Sequence, residues 1–167
     1  GGVDAQNYTI KVLKALSISN IKECSIHVVI GQSHPDRLGI QDYCEAHGFT
    51  CIVQTKNMAN LMKTADLSIG AGGISVWERA YFGLPTITIE VAENQSQQIE
   101  DAAAHGFVYS PDLQDDDWEV GLAHHITALA NNYRLRELLS RNSQKVVDGK
   151  GVPVPPWMVA GLDPAVP

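Results

Sequence analysis

Residues 65–95 read ADLSIGAGGISVWERAYFGLPTITIEVAENQ. The stretch predicts a strand, a glycine turn, a helix, a second strand and a polar loop. Leu67, Ser68 and Ile69 form a short apolar strand that runs into Gly70, Ala71, Gly72 and Gly73, after which Ser75 to Phe82 read as a helix. Glycines at such a joint let the backbone turn sharply and approach a ligand closely. The free N–H groups and positive dipole end of the helix favour an anion. A phosphate-bearing small molecule is the natural guest, and a plain tight turn is the competing reading.

Glu78 falls just past the first helical turn, within reach of the turn's mouth, where its carboxylate can accept from a pair of ribose hydroxyls. The alternative is an early-helix Glu favoured by the dipole, or a partner of Arg79 or a nearby Ser. Gly83, Leu84 and Pro85 end the helix, and Thr86 to Val91 alternate as a strand. In an open parallel sheet the loops at the carboxyl ends of strands converge on the ligand crevice. Glu93, Asn94 and Gln95 are therefore expected beside the glycine turn.

The flanking sequence continues the alternation of helix and strand. Helices are predicted at Asn7 to Leu16 and Asp36 to His47, with a short one around Leu61 and Met62. Strands are predicted at Ser25 to Ile30, Thr50 to Gln54, Asp66 to Gly70 and Phe107 to Tyr109. Gln95 to His105 reads as a helix stopped by Gly106, and one long amphipathic helix is predicted from about Val120 to Gln144, opened by Asp115 to Asp117. From Val152 to Pro167 five prolines fall among sixteen residues, the composition of an extended tail, with Trp157, Met158 and Val159 as an apolar run.

At 167 residues, 44% hydrophobic and 19% charged, the chain suits one domain with a real core, placed at 1–151 ahead of the tail at 152–167. A formal charge of −7 and the lack of a basic cluster disfavour nucleic acid, and no apolar stretch is long enough to span a membrane. The cytoplasm is the expected compartment. Cys44, His47 and Cys51 form C-x2-H-x3-C, but no adjacent fourth ligand is evident, so neither a metal nor another cofactor is expected. His34, before Pro35 at a strand's end, is the one histidine whose loop approaches a crevice as an acid or base, while His124 and His125 sit mid-helix. Trp77 either lines a sugar pocket or packs in a core, and Trp118 reads as a helix-start anchor. Glu90, about twenty residues after Gly70, suggests a dinucleotide-dependent oxidoreductase, but Ser75 stands where that fingerprint needs its third glycine.

GAGGISVWERAYFGLP followed by VAENQ resembles the C-terminal half of the PseG-type UDP-sugar hydrolases of pseudaminic acid biosynthesis, relatives of MurG-like glycosyltransferases with a GT-B fold. The resemblance extends to Gly1, Gly2, Val3 and Asp4 with Asn7, to NMANLMKTADL at Asn57 to Leu67, and to DGKG at Asp148 to Gly151. It implies an α/β, Rossmann-like parallel sheet with helices on both faces, one half of a GT-B fold. By carry-over Gly72, Gly73, Ile74 and Ser75 hold the diphosphate, Glu78 the ribose, and Glu93, Asn94 and Gln95 the sugar or phosphate. Lys56, Asn57 and Met58 lie against the uracil.

In the family Gly-Gly-x-Asp follows a core strand, whereas here Gly1 is the first residue, so the first family strand is absent from the expected sheet. The proposed catalytic His of the hydrolases lies in the N-terminal half, so no catalytic residue is assigned in this chain. The expected partners are a UDP-sugar or UDP, with an N-terminal catalytic domain or a second copy in a homodimer. Two functions stay open beside the oxidoreductase: the UDP-sugar-binding half of a hydrolase or glycosyltransferase, inactive alone, and a non-catalytic binding or assembly module that retains the fold.

Overall fold

The computed structural model describes residues 4–147, with Ile74 and Glu93 described by their backbone only. The first three residues of the opening motif, the segment at 148–151 and the proline-rich tail lie outside the described residues. The elements are α1 (Tyr8–Ile18), β1 (His27–Ile30), α2 (Arg37–His47), β2 (Thr50–Val53), α3 (Met58–Thr64), β3 (Ser68–Ala71), α4 (Ile74–Tyr81), β4 (Thr86–Ile89), α5 (Ser96–Ala104), α6 (Trp118–Ala130) and α7 (Tyr133–Lys145). Single 3₁₀ turns occupy Glu93–Gln95 and Asp115–Asp117. The described residues divide into two compact units, one of the residues up to Lys56 with Leu113–Asn131 and the other of Asn57–Asp112 with the residues from Asn132 onward.

In the first unit β1 pairs with β2 in parallel, His27 opposite Thr50 through Ile30 opposite Val53. Leu13, Val28, Ile30, Ile40 and Cys44 form the core, so α1 and α2 bury one stripe each against the strands. Asp4 starts α1: its carboxylate accepts from the Tyr8 amide at 2.8 Å, the Thr9 amide at 2.8 Å and the Thr9 hydroxyl at 2.7 Å. Those bonds satisfy amides that have no partner within the helix. Gly48, at φ 72°, ends α2 and turns the chain into β2. Trp118 is the expected anchor: it opens α6, is buried, lies 5.9 Å from the Tyr8 ring and carries the Lys11 ammonium 4.3 Å above it.

In the second unit β3 pairs with β4 in parallel, Ser68 opposite Thr86 through Ala71 opposite Ile89. The last expected strand shrinks to one bridge. Thr88 donates to the Tyr109 carbonyl and Tyr109 to the Thr86 carbonyl, both at 2.8 Å. Gly106 turns the chain at φ 72° on one side and Pro111 removes a donor on the other, leaving no room for a longer ladder. Val76, Ala80, Ala102, Phe107, Val108 and Val146 form this unit's core.

The long helix expected from Val120 to Gln144 is two helices. The α6 helix stops at Ala130, and the Asn132 side chain accepts from the Leu135 amide at 3.0 Å to start α7. Asparagine competes for backbone hydrogen bonds, and two in succession break a pattern that is amphipathic on both sides. Among the described residues β1 pairs with β2, and β4 with both β3 and Tyr109.

Candidate functional site

Strand β3 delivers the chain into the glycine turn, and the three glycines there serve different ends. A Cβ on Gly70 would lie 1.8 Å from Nη1 of Arg79, so this glycine makes room for a guanidinium. On Gly72 it would lie 2.9 Å from the Ile99 side chain of α5, a packing requirement. Gly73 alone needs its conformational freedom, at φ 93° and ψ −159°, a region closed to other residues. It turns the backbone into α4 and leaves the helix's first amides at the mouth of the turn.

Arg79 is buried, at 6% exposure, and folds back beneath that turn. Its Nε donates to the Ser75 carbonyl at 3.0 Å, and its Nη2 to the Ala71 carbonyl at 2.7 Å and to the Ser75 hydroxyl at 2.8 Å. Burial pulls its pKa down to about 10, against the upward pull of the Glu78 carboxylate, so the guanidinium stays charged at neutral pH. The sequence suggested Arg79 only as a partner for Glu78. The legible signal was the four-residue spacing to Ser75, one helical turn away.

The polar loop after β4 reaches the turn as expected, through Gln95. Its Nε2 lies 3.5 Å from the Gly72 carbonyl, and its Oε1 is buried without a hydrogen-bond partner among the described residues. Asn94 is exposed, and Glu93 opens the 3₁₀ turn that carries the loop. Glu78 is half-buried on α4; among the described residues its carboxylate makes no hydrogen bond or ion pair, and it acts on Arg79 through its charge alone. Lys56, Asn57 and Met58 form an exposed stretch between β2 and the first turn of α3.

Other candidates are engaged elsewhere. Asp36 donates its amide to Nδ1 of His34 at 3.1 Å, so Nε2 carries the proton of the neutral ring and faces the Asp4 carboxylate at 3.2 Å. With both nitrogens engaged, His34 braces the start of α1 and has no lone pair left for acid–base work. His47 stacks on Tyr43 with ring centres 4.0 Å apart and its Nδ1 2.8 Å from the Tyr43 carbonyl. Cys44 is buried beside Cys51, and burial, followed by that neighbour, pushes its thiol up to about 11. His124 is exposed and His125 half-buried. Trp77 packs on Phe107 at 5.5 Å in the core of its unit, which settles its two readings in favour of packing. The Glu90 carboxylate accepts from the Ser96 hydroxyl at the start of α5.

A parallel β–α–β unit with a glycine turn opening into a helix N-terminus, and a carboxamide laid against that turn, is the nucleotide-binding form of the Rossmann-like class. Over residues 1–108 the chain matches the glycosyltransferase family 28 C-terminal domain, and it belongs to that family. It is 30% identical to SpsG of Bacillus subtilis (strain 168), a spore coat polysaccharide biosynthesis protein, over 91% of this chain and 45% of SpsG. It is 31% identical to the uncharacterized protein MJ1062 of Methanocaldococcus jannaschii, over 60% of this chain and 22% of that protein. The chain thus spans less than half the length of these relatives. Its fold is similar to that of WaaG, a glycosyltransferase involved in lipopolysaccharide biosynthesis, with a TM-score of 0.67 at 20% identity, covering 84% of this chain and 39% of WaaG. The fold is therefore α/β of the GT-B type, as expected. Among the described residues no helix is long and apolar enough to cross a membrane.

Proposed function

We propose that residues 1–151 form the UDP-sugar-binding half of a PseG-type UDP-sugar hydrolase or a related glycosyltransferase, inactive without an N-terminal catalytic half. The observation that carries this reading is Gln95 lying against Gly72, which joins the polar loop to the glycine turn. The diphosphate sits on Gly72, Gly73, Ile74 and Ser75, and Glu78 binds the ribose hydroxyls. Lys56, Asn57 and Met58 take the uracil, and Glu93, Asn94 and Gln95 the sugar or its phosphate. When the bond between the anomeric carbon and the diphosphate breaks, negative charge grows on the leaving UDP. The N-terminal amides of α4 stabilise that charge. The preference for hydrolysis rests on the likeness of VAENQ and DGKG to the hydrolases.

Calorimetric titration of the chain with UDP, with NAD and CMP as controls, tests the reading. Saturable binding of UDP alone is expected. Glu78→Ala should weaken it roughly tenfold or more while leaving the circular dichroism unchanged, because a carboxylate hydrogen-bonded to a ligand contributes about 1.5–3 kcal/mol. Unchanged affinity would remove Glu78 from the ribose. A folded chain that ignores UDP would favour a non-catalytic assembly module.

A further inference from the structure

We propose that Arg79 is a positioning residue that sets affinity for the anionic part of the ligand, by fixing the Ser75 hydroxyl as a donor at the mouth of the glycine turn. The inference rests on the nucleotide reading above. A buried arginine is ordinarily paired with a carboxylate. Here its acceptors are the Ala71 carbonyl, the Ser75 carbonyl and the Ser75 hydroxyl, all of them neutral. Among the carboxylates whose side chains are described, none forms an ion pair with it. Gly70 keeps the strand open for Nη1, which a Cβ there would meet at 1.8 Å. The charged guanidinium thus lies directly under the segment that turns into α4, held by neutral acceptors, with the Glu78 carboxylate acting on it through charge alone.

The consequence for Ser75 follows from its hydrogen bond. Its Oγ accepts from Arg79 at 2.8 Å, so its own proton points away from the guanidinium. Among the described residues that proton has no acceptor. Ser75 is the second residue of α4, where the free amides also point outward. A phosphate oxygen at the turn then receives the hydroxyl proton. Polarisation by the charged donor behind Oγ strengthens that bond, as in any chain of hydrogen bonds. A neutral ligand gains little from the same arrangement.

The test compares UDP with uridine on the full chain, titrating wild type, Arg79→Met, Arg79→Lys and Ser75→Ala. The wild type is expected to prefer UDP. Arg79→Met and Ser75→Ala should each weaken UDP roughly tenfold while uridine changes less than about twofold, and the double variant should lose no more than either single one. Arg79→Lys, which keeps the charge without the planar fork, should recover only part of the preference. A purely structural arginine would weaken both ligands together. An unchanged UDP-to-uridine ratio in any folded Arg79 variant or in Ser75→Ala overturns the proposal. If Arg79→Met does not fold, Arg79→Lys and Ser75→Ala decide it. A wild type that binds neither ligand overturns the nucleotide reading, and this inference with it; the variants can fail without that.

Discussion

Gly70, Gly72 and Gly73 look alike in sequence, and a ligand approaching the backbone was reason enough for all three. Only Gly73 needs the freedom that glycine offers; Gly70 is small for the sake of Arg79, and Gly72 for Ile99. The difference lies in partners nine and twenty-seven positions away, which no local pattern specifies. Gly70→Ala should therefore destabilise the chain by about 1–3 kcal/mol, the usual penalty for forcing a methyl group into filled space. Gly31→Ala is the contrast, since nothing lies within 4 Å of its Cβ position and its φ is not left-handed. It should be neutral or slightly stabilising, because alanine restricts the unfolded chain. Urea denaturation of both variants checks the pair, and equal effects would contradict the packing account.

At the scale of elements, most of the pattern was legible because its punctuation is local. Gly48 closes α2 and Gly83 follows α4, with Pro85 ahead of β4, as their backbone preferences require. The break between α6 and α7 was not legible, because the amphipathic pattern carries on through Asn131 and Asn132. Strand β4 shows a second gap. Its Thr-Ile-Thr-Ile alternation suggests one wet face, yet all four residues are buried, as in parallel sheets covered on both sides. Thr86 satisfies its hydroxyl with the Leu84 carbonyl at 2.9 Å and with Ser68 at 2.7 Å. The Thr88 hydroxyl is buried with no partner among the described residues. Replacing it by a methyl group of the same shape removes the desolvation penalty, so Thr88→Val should raise stability by about 1 kcal/mol. A higher melting temperature is the expected readout, and a lower one would mean that the hydroxyl has a bound partner.

For the molecule as a whole, acid stability is tied to Asp4. Burial works against its ionisation, but the hydroxyl and amide of Thr9, the Tyr8 amide and His34 outweigh it, so its pKa lies below the ordinary 3.8. The native chain then binds fewer protons than the unfolded one, and the stability contributed is present above the ordinary value and lost as pH falls through the lowered one. Asp4→Asn should cost about 1 kcal/mol at neutral pH, the usual difference between a hydrogen bond to a charged acceptor and one to a neutral acceptor. The gap to wild type should close at pH values below 3.8 in a denaturation series, whereas a constant gap would show that the charge does not matter. The sequence by itself determined the α/β alternation, the glycine turn opening into a helix and the polar loop that meets it, since these follow from periodicity and from residues with strict backbone preferences. Tertiary structure alone decided that His34 is spent on Asp4, that Trp77 belongs to the core and that Arg79 lies charged beneath the turn. Each of those depends on which distant groups share a buried space, and burial makes an unpaired charge or hydrogen bond matter in a way that sequence spacing does not encode.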